Sequence, residues 1–279
     1  MPSADAIEHL PVGFGAHHWR ALCEGRPHLF VTLDSLGSRH DARSLNAAYS
    51  GAARLAADGL EFVHANLEPV TVGLGAGVLS ATRWRDGEVR EHVDLAITSA
   101  MLARLHAATV DDVPRWTPLV LEDFADALLR RLEATWDAGP FASQARTALR
   151  ERIEPIAGWT ERYHALADLA RQERWVPTHG EPHERNQLVT PEGTLLVDWE
   201  SLKLAPRERD LRVLAVAGSN DIQVSGPMIE MFDLEWRLDE ISQYADWFEA
   251  PHPGNASDRV ALGGLLEELE RAEWAQPGR

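Results

Sequence analysis

Nine residues, THGEPHERN (178–186), place two histidines, two glutamates, an arginine and an asparagine directly behind a proline. An acid between apolar neighbours, Asp198, follows in the run GTLLVDWES (193–201). Glu181, Asn186 and Asp198 together offer two carboxylates and an amide, hard oxygen donors of the kind that hold Mg²⁺ beside phosphates. Phosphoryl transfer asks for such a set: one group to position and deprotonate an acceptor hydroxyl, plus an Asn and an Asp for the metal. Asn186 lies five residues beyond Glu181, and Asp198 twelve beyond Asn186, across a PEG turn. Two short strands joined by that turn, QLVT and TLLVDWE, would return Asp198 to the side of Asn186.

The same loop also reads as H-x-E-x-H, a possible zinc set of His179, Glu181 and His183. The helical HExxH spacing is missing, however, and so is the downstream P-C-x-x-C of the deaminases. His179 is better placed to brace the loop through hydrogen bonds. Asp210, in APRERDL, is expected to accept hydrogen bonds beneath it.

The elements that must carry these residues change character along the chain. Up to about residue 90 the pattern is strands and turns, as in HLFVTLDS, with one Ala-rich helix in DARSLNAAYSGAARLAADGL that ends at a Gly. GLGAG (73–77) superficially matches a dinucleotide fingerprint, but strand-like residues follow it, so a hairpin turn is expected. From about residue 92 the spacing becomes helical: EHVDLAITSAMLARLHAAT, LEDFADALLRRLEATWDAG, then one long stretch from FASQAR to ARQER. More helix is expected from the catalytic segment to the end.

The 279 residues carry 44 acids against 27 Lys and Arg, a net charge of −17. A nucleic-acid partner is therefore not expected, because phosphate backbones need a basic surface. No apolar run approaches the length of a membrane span, and the N-terminal residues lack the pattern of a secretory signal, so a cytoplasmic protein is expected. Cys23 is the only cysteine, which leaves no intramolecular disulfide and no multi-thiolate metal site. Nothing in the sequence speaks to oligomeric state.

HGEPHERNQLV…TLLVDWES resembles the catalytic block of the aminoglycoside phosphotransferase-like family, HGDxHxxN followed by a strand ending in DW or DF. Its five-residue step from acid to Asn is also that of the protein-kinase catalytic loop. LARLHA (102–107) and APRERDL (205–211) are similar to that family's L-x-x-L-H helix and P-x-x-D-L segment. The resemblance implies an α+β, bilobal protein-kinase-like fold: a small β-rich N-lobe over residues 1–84 and a larger, mainly helical C-lobe over 85–279. It further implies ATP (or GTP) and Mg²⁺ as cofactors, Glu181 at the catalytic acid position, and Asn186 and Asp198 as metal ligands. Trp84, in the hinge-like ATRWRDG, could stack on adenine or pack between lobes.

Two departures stand out. Glu181 replaces the family's Asp, and an added methylene shifts a carboxylate by about 1 Å, a displacement that can cost ~100-fold in rate. The family's third-strand lysine, which binds the α- and β-phosphates, matches Thr32, and its helix acid is missing as well. Lys203 is the only lysine in the chain. Arg20, or one of His17 and His18, could supply the positive charge, with Arg39 and His40 as weaker candidates. Residues 221–279 hold thirteen acids against four arginines. That balance reads either as a solvated surface or as a wall that draws in a cationic acceptor. Asp233, Glu235, Asp239 and Glu240 would then bind its ammonium groups, and Trp236 would offer a cation–π face. The expected function is an ATP/Mg²⁺-dependent O-phosphotransferase acting on a small cationic molecule, with aminoglycosides and basic peptides of the capreomycin and viomycin type as fitting acceptors. A catalytically silent nucleotide-binding relative, or a kinase of a choline-, amino-acid- or sugar-like alcohol, is the alternative.

Overall fold

A computed structural model of the chain describes residues 4–12, 16–37, 40–218 and 224–273. Strands β1 (Ala6–Leu10), β2 (Ala16–Cys23) and β3 (Arg26–Ser35) are followed by helix α1 (Ala42–Ala57), then β4 (Val72–Leu74) and β5 (Gly77–Arg83). The strands form one antiparallel sheet in the order β1-β2-β3-β5-β4. Glu24 and Gly25, both at positive φ, make the two-residue turn between β2 and β3, the conformation that matches strand twist. Gly75 and Ala76 separate β4 from β5, so GLGAG is the hairpin turn its strand-like surroundings predicted. Asp41 starts α1 with a capping box, accepting from the Ser44 amide at 2.6 Å while Ser44 Oγ receives the Asp41 amide at 3.0 Å.

Onward in the chain come β6 (Glu88–Val89), α2 (Leu95–Ala107), α3 (Phe124–Glu133), α4 (Ala142–Glu151), α5 (Ile153–Ala170) and β7 (Trp175–Thr178). The segment after the THGEPHERN loop supplies β8 (Gln187–Thr190) and β9 (Gly193–Leu196), and β10 (Lys203–Pro206), α6 (Glu208–Val216), α7 (Gly226–Glu249) and α8 (Ala256–Glu270) complete the order. The helical stretch expected across 141–174 is divided into α4 and α5, because Pro155 lacks an amide hydrogen and its ring clashes with the fourth carbonyl before it. A new helix begins at Ile153, which puts Pro155 in the first turn, where neither defect matters. The helix expected after the catalytic segment is preceded by β10, which pairs antiparallel with β7. Among the described residues no helix is long and apolar enough to cross a membrane.

The chain packs as two units. The first takes the described residues of 1–116 and 174–222, and the second those of 117–173 and 223–273. The sequence boundary at residue 84 falls within the first unit, and the reason is backbone pairing. Leu196 donates its amide to the Phe62 carbonyl at 2.7 Å and accepts that of His64 at 3.0 Å, fastening β9 to the segment after α1. The second unit is helical, cored by Leu128, Leu132, Leu149, Ile156, Tyr163, Leu238, Ile241, Phe248 and Leu265, all at most 2% exposed.

Gly51 of α1 shows how tightly the first unit is packed. A Cβ there would stand 2.2 Å from Val113 Cγ1 and 2.9 Å from Leu202 Cδ2. Gly→Ala within a helix ordinarily stabilises by ~0.5–1 kcal/mol, whereas overpacking a core costs ~1–3 kcal/mol. Packing should win, so Gly51→Ala is expected to lower the urea midpoint. An unchanged or raised midpoint would show that the gap between α1 and its neighbours is wider than these distances.

Candidate active site

The loop that leaves β7 is held from below by one carboxylate. Asp210, fully buried near the start of α6, accepts the His179 amide at 3.1 Å and the Gly180 amide at 2.6 Å. The His106 ring, from the end of α2, stands 2.9 Å from the same side chain. Burial alone would raise the pKa of Asp210. The His106 hydrogen bond and charge, the Gly180 amide and Arg209 outweigh it and hold the group below the usual carboxylate range. Arg209 in turn donates to Thr178 Oγ1 at 3.0 Å and to the Ser201 carbonyl at 2.9 Å, clamping the end of β7 to the turn after Asp198. Gly180 passes over this guanidinium at φ +99°, and a Cβ would lie 2.3 Å from Arg209 Nη2. Both the backbone angle and the space require glycine there.

His179 links the two halves of the site. Its ring is fully buried, edge-on to Trp199 with centroids 4.6 Å apart. Nε2 lies 2.9 Å from the Val197 carbonyl, and Nδ1 lies 3.3 Å from the Glu181 amide. These partners assign a neutral ring that donates from Nε2 and accepts at Nδ1, consistent with a pKa that burial pushes down. The backbone of Glu181 is thus tied through His179 to the residue before Asp198. The Glu181 carboxylate remains partly open, with the His183 ring 3.8 Å away. Pro182 behind it is buried, and its carbonyl accepts from Gln187 Nε2 at 2.8 Å.

The β8–β9 hairpin does what the spacing required. Gln187 pairs with Leu196, and the Val197 amide donates to the Asn186 carbonyl at 3.0 Å, so Asp198 emerges beside Asn186. Asn186 Nδ2 donates to the Glu181 carbonyl at 3.0 Å, which leaves the amide oxygen as the acceptor able to face a cation. Asp198 adopts φ 66°, ψ 68°, a left-handed conformation that costs a non-glycine residue energy and that clusters at functional sites. Its pKa is pushed up to about 7, by loss of hydration first, then by Glu181 and Asp34. The side chain keeps access to solvent all the same. An amide oxygen beside a carboxylate pressed by other negative charges is a donor set that fits Mg²⁺.

The sheet holds a surprise that the sequence did not signal. The polar link between β3 and α1 is made by Asp34 and Tyr49, whose hydroxyl donates to Asp34 Oδ2 at 2.9 Å, both side chains being buried. Thr32, two residues earlier, instead meets the His18 ring at 3.1 Å. His18 stacks on Phe30 at 5.1 Å, and burial first, then His17 and His9, lower its pKa and disfavour the cationic form. Arg20 is engaged by its cross-strand partner Glu8 at 2.5 Å. His40 lies 3.9 Å from Glu200, while Arg39 falls outside the described residues. Trp84 donates from its indole to Asp86 at 2.9 Å, its ring centroid 6.5 Å from that of Phe30.

The acids named as acceptor ligands all lie on α7, in the second unit. Asp233 is 2% exposed and accepts two bonds, at 2.8 and 2.9 Å, from Arg271. Glu235 is 5% exposed and accepts the Tyr163 hydroxyl. These two are parts of an internal polar network, a placement hidden in the sequence by the expectation that acids face water. Asp239, Glu240 and Trp236 are half-buried, the two acids sharing the Gln243 amide at 3.2 and 3.3 Å.

The close pass of Gly180 over Arg209 generates a test. Gly180→Ala should cost ~1–2 kcal/mol for the left-handed backbone alone, and more for displacing the guanidinium. The expected result is a lowered unfolding midpoint and a displaced Glu181, with phosphate-transfer turnover falling about 100-fold for a shift near 1 Å. Wild-type stability and turnover together would contradict this account of the loop.

Residues 8–256 match the sequence profile described as the phosphotransferase enzyme family. Protein StrN of Streptomyces griseus is 30% identical over 215 residues, which span 71% of this chain and 65% of that protein, a little under two thirds of its length. In three dimensions the chain is similar to a spectinomycin phosphotransferase solved with ADP and spectinomycin, at a TM-score of 0.71 and 16% identity, covering 95% of this chain and 90% of the other. It is also similar to a choline/ethanolamine kinase family protein from Mesorhizobium loti, at a TM-score of 0.55 and 20% identity over 95% and 87% of the two chains. A hygromycin-type aminoglycoside phosphotransferase in ternary complex with AMP-PNP and hygromycin B gives 0.56 at 12% identity, over 96% and 94%. These likenesses identify the protein-kinase-like fold, and with the match over residues 8–256 the chain belongs to the phosphotransferase enzyme family.

Proposed function

We propose that the protein is an ATP- and Mg²⁺-dependent O-phosphotransferase whose acceptor is a small cationic molecule, an antibiotic such as an aminoglycoside or a basic cyclic peptide. The observation that carries the reading is the convergence of Glu181, Asn186 and Asp198, joined through His179 and the Asn186 amide rather than left on independent loops. In this reading the acceptor oxygen bonds to the γ-phosphorus of ATP as its proton passes to the Glu181 carboxylate. The bond from that phosphorus to the β-phosphate oxygen breaks, and ADP leaves. Asn186 and Asp198 would hold Mg²⁺, which supplies positive charge against the charge developing on the phosphates. Neutral His179 fixes the Glu181 backbone, and Gln187 holds Pro182, so the longer glutamate side chain starts from a constrained position.

The antibiotic part of the reading draws support from the spectinomycin and hygromycin B complexes of the structural neighbours. The choline/ethanolamine kinase neighbour keeps a small amino alcohol as an alternative acceptor, and both classes carry the positive charge that an acidic protein attracts. A second reading, a nucleotide-binding protein without catalysis, is favoured by one feature, the Asp34–Tyr49 pair in a β-lobe without lysine.

Phosphorus NMR of ATP consumption distinguishes these readings. With Mg²⁺ and a panel of aminoglycosides, basic cyclic peptides and choline, acceptor-dependent ADP formation is expected. Asp198→Ala should abolish it, at least 1,000-fold. Turnover that survives this substitution would remove Asp198 from the chemistry, and nucleotide binding without turnover on any acceptor would favour the silent protein.

A further inference from the structure

A chain of two buried side chains reaches the loop behind Glu181. Thr98 and Gln187 are both without exposure to solvent. Thr98 Oγ1 donates to Gln187 Oε1 at 3.2 Å, and Gln187 Nε2 donates to the Pro182 carbonyl at 2.8 Å. A carbonyl only accepts, so Pro182 fixes which end of the amide faces it, and the Thr98 hydroxyl must donate to the other end. An amide that swung away would leave buried groups unpaired, so the side chain is held at both ends.

Thr98 stands near the start of α2, its own amide bonded to the Asp94 carbonyl at 2.9 Å. His106, whose ring reaches Asp210, lies about 12 Å further along the same helix. One helix thus supports the loop at two points: the His179 and Gly180 amides through Asp210, and the Pro182 carbonyl through Gln187. What is fixed at Pro182 passes to Glu181. The proline ring locks φ at 182, and a residue ahead of proline is confined to extended backbone, so few soft torsions separate the Pro182 carbonyl from the Glu181 Cα. The Glu181 amide and carbonyl are engaged as well, by His179 Nδ1 at 3.3 Å and Asn186 Nδ2 at 3.0 Å.

Resting on the phosphotransferase reading above, we propose that Gln187, held by Thr98, is a positioning residue for Glu181: it keeps the loop backbone at a distance from the reacting hydroxyl that glutamate spans and aspartate does not. Gln187 acts through Pro182 and not on the reacting atoms. The consequence is compensation. Removing one methylene at 181 leaves the carboxylate about 1 Å short, and releasing the Pro182 carbonyl lets the backbone advance to make up that distance.

Steady-state kinetics of Glu181→Asp, Gln187→Met and the double variant test this, on whichever aminoglycoside, basic cyclic peptide or choline acceptor wild type turns over. Methionine keeps the length of glutamine, so the buried space stays filled, and the Thr98 hydroxyl can turn back to a carbonyl of its own helix. The kcat should fall about 100-fold in Glu181→Asp and about tenfold in Gln187→Met. The Kd for AMP-PNP with Mg²⁺, read by calorimetry, should stay at the wild-type level in both, which separates positioning from general loss of structure. In the double variant kcat should rise about tenfold above that of Glu181→Asp, where independent losses would multiply. Thr98→Val releases the far end of the amide and should give the same reversal, so a folding defect in Gln187→Met, seen by circular dichroism, leaves Thr98→Val to decide. A double variant no faster than Glu181→Asp overturns the positioning role and leaves the phosphotransferase reading intact. Absence of wild-type turnover on every acceptor overturns both.

Discussion

The whole site stands on Asp210. A carboxylate with no exposure to solvent receives two consecutive backbone amides and the ring of His106, so three segments that are far apart in sequence meet at one side chain. Such a group is stable only while all its bonds are made, since a buried carboxylate with a lost partner is far more costly than one never buried. The arrangement explains why Gly180 must be glycine and why Arg209 lies beneath it. It also sets where His179 can point, and through His179 it sets the position of Glu181 against the strand that ends in Asp198. The candidate catalytic side chains gain their geometry from a buried network beneath the loop.

Above that foundation the electrostatics run in one direction. Asp34, Glu181, Asp198 and Glu200 gather negative charge where a kinase would balance it with lysine. Burial first, then the neighbouring acids, raise the pKa of Asp198 and Glu200, while burial raises that of Asp34.

Much of this was legible before any coordinates. The five-residue step from Glu181 to Asn186 and the hairpin to Asp198 are short-range features, fixed by turn chemistry and strand alternation, and the structure reproduces them. Asp210 was expected to accept hydrogen bonds beneath the loop, but its contact with His106 across 104 positions could not be read from spacing. The Asp34–Tyr49 link was missed for a related reason. Matching by strand position pointed at Thr32, while the choice between two side chains on one face of β3 depends on how α1 packs against it. On α7 the error ran the other way: composition suggested an acidic exterior, yet Asp233 and Glu235 are inside, the first paired with Arg271 and the second accepting a tyrosine hydroxyl. Charge counts report how many acids a segment has, not which of them find a partner.

Hydrogen exchange of the Asp210→Asn variant, read on peptides spanning residues 176–187, is the most direct test of the constraint from which the site is built. An amide in place of the carboxylate keeps the size of the side chain but weakens its acceptance of the His179 and Gly180 amides and its pairing with His106. Exchange in these peptides should accelerate at least tenfold over wild type, while peptides from α8 in the second unit keep their protection. Wild-type protection across 176–187 in a folded Asp210→Asn protein would contradict the account, and would mean that the loop holds its shape without the carboxylate beneath it.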